Sequence, residues 1–172
     1  TTSPTNLLSL RKDVAGGDVA IYLQNYNSVV GSTDETVSIK FAHGNDGGSG
    51  YVGAKIVGGK EGDFESSPAN VKGFMSFYTN EGSLTSQVEQ MRINGDGNVG
   101  IGTTSPFSTA KLQVKTATDK NLAIQTGTTN TTGIKINAFN DAGSANIPLE
   151  LNGSILSLKT GETEKMRITS AG

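Results

Sequence analysis

Three carboxylates, Glu61, Asp63 and Glu65, alternate along one stretch of this 172-residue chain. On an extended backbone, alternate side chains share a side, and two carboxylates held about 5 to 9 Å apart in a groove can hydrolyse a glycosidic bond. Phe64 lies among them and Tyr51 precedes them, and either ring offers a flat face on which a sugar can stack. Tyr51, Glu61, Asp63 and Phe64 are therefore the candidate sugar-contacting residues. The surrounding residues 58–72 are turn formers of mixed charge, which reads more simply as a projecting, solvated loop.

Other candidate chemistry is thinner. His43 is the only histidine and there is no cysteine, so a His–His dyad, a thiolate nucleophile, a disulfide and a thiolate metal site are all excluded. Copies of His43 from associated chains could hold a metal, but its place before Gly44-Asn-Asp-Gly-Gly48 suits an exposed turn. Gly48-Ser-Gly-Tyr-Val-Gly53 spells a dinucleotide fingerprint, yet strand-like residues follow it where the phosphates need a helix N-terminus. Asn94-Gly-Asp-Gly-Asn98 hints at a calcium loop, yet Val99 and Ser105 stand where that loop needs Gly and Glu. The expectation is a chain with no catalytic residue, no cofactor and no metal.

The elements that must position these residues read as strands. Apolar residues alternate with polar ones at Val19/Ile21/Leu23, Val37/Ile39/Phe41, Val52/Ala54/Ile56, Met75/Phe77 and Met91/Ile93. The pattern returns at Leu112/Val114, Leu122/Ile124, Ile134/Ile136, Leu149/Leu151, Leu156/Leu158 and Met166/Ile168. Period two marks a strand with one buried face, and Gly-, Asn- and Asp-rich clusters between the runs supply turns. No window shows a helical face. The fold class is all-β.

Only 34% of residues are hydrophobic and 6% aromatic, with no Trp and 23 Gly, so a lone copy has little core to offset the entropy of ordering its backbone. A net charge of −2 without a basic stripe argues against a nucleic-acid partner. No apolar run is long enough to span a membrane as a helix, so membrane insertion is not expected. Self-association is the natural remedy for a thin core.

The chain also repeats itself. Thr-Thr-Ser-Pro occurs at Thr1–Pro4 and Thr103–Pro106, and Met-Arg-Ile occurs at Met91–Ile93 and Met166–Ile168. Gly73–Thr79 aligns with Ser154–Thr160, Ser76 matching Ser157. The order divides the chain into a first unit at 1–97 with longer loops, a structured glycine-rich neck at 98–106 and a shorter second unit at 107–172. The last residues stop where the first copy runs on into Gly97-Asn-Val-Gly-Ile-Gly102, so the sequence reads as an excerpt from a longer array.

Met91-Arg-Ile-Asn-Gly-Asp-Gly-Asn-Val-Gly-Ile-Gly-Thr-Thr-Ser-Pro106, followed by Lys111-Leu-Gln-Val114, resembles the recurring repeat of bacteriophage tail fibres and tail spikes of the marine type. Such repeats often precede an intramolecular chaperone domain, which this sequence does not contain. The resemblance implies a parallel homotrimer, a β-rich fibre with knobs, carried on the virion outside the cell and used in host attachment. Its partners would be two further copies of itself and a host surface glycan or protein receptor, for which Tyr51, Glu61, Asp63 and Phe64 are the candidate contacts. Met91, Ile93, Val99, Ile101, Met166 and Ile168 are the candidate trimer-core residues. A monomeric carbohydrate-binding β-sandwich and a polysaccharide-degrading spike stand as alternatives, and period two leaves open whether strands pair within or between chains.

Overall fold

The structure, a computed structural model, describes residues 23–25, 35–44, 50–62, 64, 71–82, 86–129, 132–153 and 155–169. These residues are all-β, with ten strands and no helix among them. Strands β1 (Thr36–Gly44), β2 (Gly50–Lys60), β3 (Gly73–Asn80) and β4 (Gln87–Ile93) form an antiparallel meander. It continues through β5 (Val99–Ile101), β6 (Ala110–Ala117), β7 (Lys120–Thr126) and β8 (Ile134–Phe139) into one eight-stranded sheet in chain order. Among the described strands, β9 (Ile155–Thr160) and β10 (Thr163–Thr169) form a separate two-stranded sheet.

The turns follow from their residues. Between β4 and β5, Asn94 Oδ1 accepts the backbone N–H groups of Asp96 (3.1 Å) and Asn98 (2.8 Å), and Gly97 takes φ +72° to close the loop. The Asn94–Asn98 stretch is thus an Asx-type hairpin turn. Asp96 is held outside it by Lys72 Nζ at 2.6 Å.

One pairing breaks the antiparallel order. β6 runs parallel to β5, with Val99 beside Leu112 and Ile101 beside Val114. Parallel neighbours ordinarily need a crossover of a dozen or more residues. Here β5 is three residues long, so the short loop from Gly102 to Thr109 suffices to bring the chain back. This loop holds the second Thr-Thr-Ser-Pro, and it lies against one face of the sheet. At Gly100, which is buried, an added Cβ would come within 2.8 Å of the Thr103 carbonyl and 3.4 Å of Pro106 Cβ.

The expected strand at Leu149/Leu151 does not form; residues 147–153 carry no regular structure. Pro148 has no N–H to give to a ladder and its φ is fixed, so pairing stops after Ile147 N donates to Ala138 O at 3.1 Å. The expected strand at Val19/Ile21/Leu23 and the first Thr-Thr-Ser-Pro lie outside the described residues, except for Leu23, which is exposed and not in a strand.

Candidate functional site: an open apolar face

Strand register decides which side chains share a face. Following paired residues across the sheet gives one row: Ile39, Ile56, Phe77, Met91, Ile101, Val114, Leu122 and Ala138. The adjacent row on the same face is Val37, Gly58, Met75, Ile93, Val99, Leu112, Ile124 and Ile136. Every member of both rows is apolar or glycine. Eight strands about 4.8 Å apart and two rows about 7 Å apart make a ribbon of ~500 Å².

This face is open. Ile39, Phe41, Met75, Val88, Ile101, Leu122, Ile124, Ile134 and Ile136 are exposed, Ile136 to 63%, and all of them project from it. The other face is the covered one, and it is largely polar. Ser76, Gln113, Ala123 and Val57 are buried along it, as are Asn121, Ala110 and Phe139. Period two therefore marked two unlike faces correctly, but the face buried within one chain is the polar one. The return loop and its neighbours cover it: Phe107 packs edge-on against Phe139 at 5.2 Å, over Ala110 and Ala123.

The covered face is held by a chain of hydrogen bonds. The Gln113 amide accepts from Phe107 N (2.9 Å) and donates to Asn121 Oδ1 (2.9 Å). Asn121 Nδ2 donates to Asp141 Oδ1 (2.9 Å), and Lys115 Nζ donates to Asp141 Oδ2 (2.6 Å). Lys115 first, then Asn121, hold the Asp141 carboxyl down at about 2. Asn98, fully buried, donates to Ser108 O (3.3 Å) and accepts from Lys111 Nζ (2.9 Å).

Across β3 and β4 the same face carries a charged stack. Arg92 grips Glu89 with Nε to Oε1 and Nη2 to Oε2, both 2.8 Å, and lies 3.8 Å from the Phe74 ring centre. Tyr78 Oη donates to Glu89 Oε2 at 2.8 Å. Burial alone pushes the Glu89 carboxyl up, but the Arg92 and Tyr78 hydrogen bonds outweigh it and hold Glu89 below the usual carboxylate range. Burial, with the Glu89 bond second, raises the Tyr78 phenol.

The second hairpin repeats this arrangement. Leu158 faces Met166, Leu156 faces Ile168 and Ser157 faces Arg167, just as Phe77 faces Met91, Met75 faces Ile93 and Ser76 faces Arg92. Arg167 grips Glu164 through the same two bonds, both 2.8 Å. Ser157 Oγ donates to Glu164 Oε2 at 2.7 Å, whereas the buried Ser76 hydroxyl beside Glu89 lacks so close a bond. The Glu–Arg pairs were missed in the sequence, although Glu89-Gln-Met-Arg-Ile and Glu164-Lys-Met-Arg-Ile differ at one position only.

The candidate trimer-core residues fall on apolar faces. Met91 pairs with Ile101 and Ile93 with Val99 at the middle of the open face, while Met166 and Ile168 line the apolar side of β10 and are exposed. The receptor candidates are not brought together. Tyr51 pairs with His43 beside the β1–β2 loop, whereas Glu61 and Phe64 follow the opposite end of β2, about 30 Å away by strand rise. Glu61 Oε2 accepts from Gly95 N at 2.8 Å, and the exposed Phe64 ring has Lys60 Nζ 5.2 Å from its centre. Asp63 and Glu65 lie outside the described residues. No group of three or more His, Asp or Glu side chains suited to a metal gathers among the described residues.

No protein-family model matches this sequence, and no curated protein matches it.

Proposed function

We propose that this chain is a structural, non-catalytic segment of a homotrimeric phage tail fibre or adhesin shaft, serving host-cell attachment from the virion surface. The observation that carries the reading is the inverted sheet. Its polar face is covered by the chain's own loops, and its apolar face, lined by Met91, Ile93, Val99 and Ile101, is left to water. An exposed apolar patch of ~500 Å² is at the upper end of what monomeric proteins display. Each kilocalorie of burial comes from roughly 40 Å² of apolar surface, so covering this ribbon contributes on the order of 10 kcal/mol per chain before association costs.

The occupants are two further copies of the same chain. The duplicated hairpin supports this, because Leu156, Leu158, Met166 and Ile168 present the same apolar pairs again, as a repeating rod requires. A net charge of −2 leaves little repulsion between copies. The number three comes from the resemblance of Met91–Pro106 to tail-fibre repeats. Sedimentation tests it: the expected species has three times the mass of the 17.8 kDa chain. A compact monomer at micromolar concentration sinks the reading, and a dimer sinks its threefold form.

A further inference from the structure

Asn-Gly occurs twice in the chain, at Asn94-Gly95 and at Asn152-Gly153. Asparagine is a chemically labile residue, and before glycine it is most open to self-attack, because no Cβ keeps the next backbone nitrogen from the side-chain amide carbon. The two copies sit in opposite surroundings. At the first, both reacting groups are held. Asn94 Oδ1 accepts from Asp96 N (3.1 Å) and Asn98 N (2.8 Å), which fixes the side chain in the β4–β5 turn. Gly95 N donates to Glu61 Oε2 at 2.8 Å, and a carboxylate on that N–H opposes loss of its proton. Gly95 is also hemmed in, for an added Cβ would lie 2.7 Å from Lys72 Cβ and 3.3 Å from Gly73 O. At the second, Asn152 and Gly153 are exposed in the stretch 147–153 that carries no regular structure, and neither makes a hydrogen bond among the described residues. Beyond its chain neighbours, an added Cβ at Gly153 would meet nothing closer than Ile155 O at 3.5 Å.

We infer that Asn152 is a site of spontaneous self-modification, where the chain deamidates, and that the Glu61 bond to Gly95 holds Asn94 back from the same reaction. The Gly153 backbone nitrogen gives up its proton to hydroxide and attacks Asn152 Cγ. The new N–Cγ bond closes a succinimide ring as the Cγ–Nδ2 bond breaks, and the departing nitrogen takes up a proton and leaves as ammonia. Water then opens the ring at either carbonyl, leaving aspartate or, where the main chain now runs through Cγ, isoaspartate. Water is the only co-reactant. The reaction needs the amide nitrogen to swing over the side-chain carbon, a geometry open to an unpaired backbone and closed to the bonded turn at Asn94. Each event adds one negative charge to a chain of net charge −2, and isoaspartate adds a methylene to the backbone just ahead of β9.

Incubation of the purified chain in mildly alkaline buffer, followed by peptide mapping with mass spectrometry, tests this at both sites in one sample. Conversion of amide to carboxyl is expected at Asn152 at least about tenfold faster than at Asn94, with isoaspartate in excess of aspartate. Gly153→Ala is expected to slow the reaction at Asn152. Glu61→Ala is expected to speed it at Asn94 by at least about threefold, with the circular dichroism and the rate at Asn152 unchanged. Equal rates at the two sites, aspartate without isoaspartate, or an Asn94 rate indifferent to Glu61→Ala would overturn the assignment.

Discussion

Glu89 and Arg92 meet on one face of β4 although three positions separate them. In an unbroken strand such residues point to opposite faces. Gln90 is the extra residue of a β-bulge, since Tyr78 pairs with Glu89 and Phe77 with Met91, and the bulge turns both charges to the same side. Lys165 does the same for Glu164 and Arg167. The bulge is what makes the repeated Glu-x-Met-Arg-Ile string a structural unit.

The two pairs should differ in worth. Arg92→Ala strands the enclosed Glu89 carboxylate and strips a cation from the Phe74 ring, at an expected cost of about 3 kcal/mol. Arg167→Ala breaks an exposed pair of identical geometry and is expected to cost less than about 1 kcal/mol. Denaturant titration of the two variants checks the difference, and equal losses would show that burial does not set the value of this unit.

Association should be lost through a single charge on the open face. Ile101 is at the centre of the apolar rows, opposite Met91 and beside Val114, and it is exposed within one chain. Ile101→Glu is expected to leave the far-ultraviolet circular dichroism of the chain unchanged and to abolish the assembled species in sedimentation. An assembly that survives with undiminished affinity would place the interface elsewhere.

Acid should act through Asp141. Its folded carboxyl titrates at about 2 against an ordinary 3.8, chiefly because Lys115 and then Asn121 hydrogen-bond the charged form. A depressed carboxylate stabilises above its unfolded value, and that contribution fades as pH falls from 3.8 towards 2. Asp141→Asn is expected to flatten the stability profile in that window. An unchanged acid limb would exclude the Lys115–Asp141–Asn121 cluster as its source.

Gly102 should resist substitution. Its φ is +69°, and an added Cβ would run into the carbonyl oxygen of Lys115. Gly102→Ala combines backbone strain with a contact against main chain that cannot swing away, so a loss of about 2 kcal/mol or more is expected in thermal or denaturant unfolding. A variant as stable as the parent would mean that the β5–β6 loop can relax around the new methyl.

Most of the strands were legible because alternation is a local property. Val37/Ile39/Phe41, Met91/Ile93 and Leu122/Ile124 each sit in the strand their pattern predicts. Leu149/Leu151 carried the same pattern and failed, since Pro148 removes a donor that no alternation can replace. The spacing between the receptor candidates was not legible. Tyr51 and Phe64 are near in sequence but at opposite ends of a long strand, and sequence distance does not report that separation.

The residues alone determined that this chain is β-structured, that its strands have one oily and one polar side, and that the Met-Arg-Ile hairpin occurs twice. Those are consequences of backbone periodicity and string identity, which need no third dimension. Only the tertiary structure decided which side is covered. The return of the chain after Gly102 lays Phe107 over Ala110, Ala123 and Phe139, and thereby shields the polar side while the apolar rows stay open. Coverage depends on where a loop travels in space, and periodicity carries no information about that path.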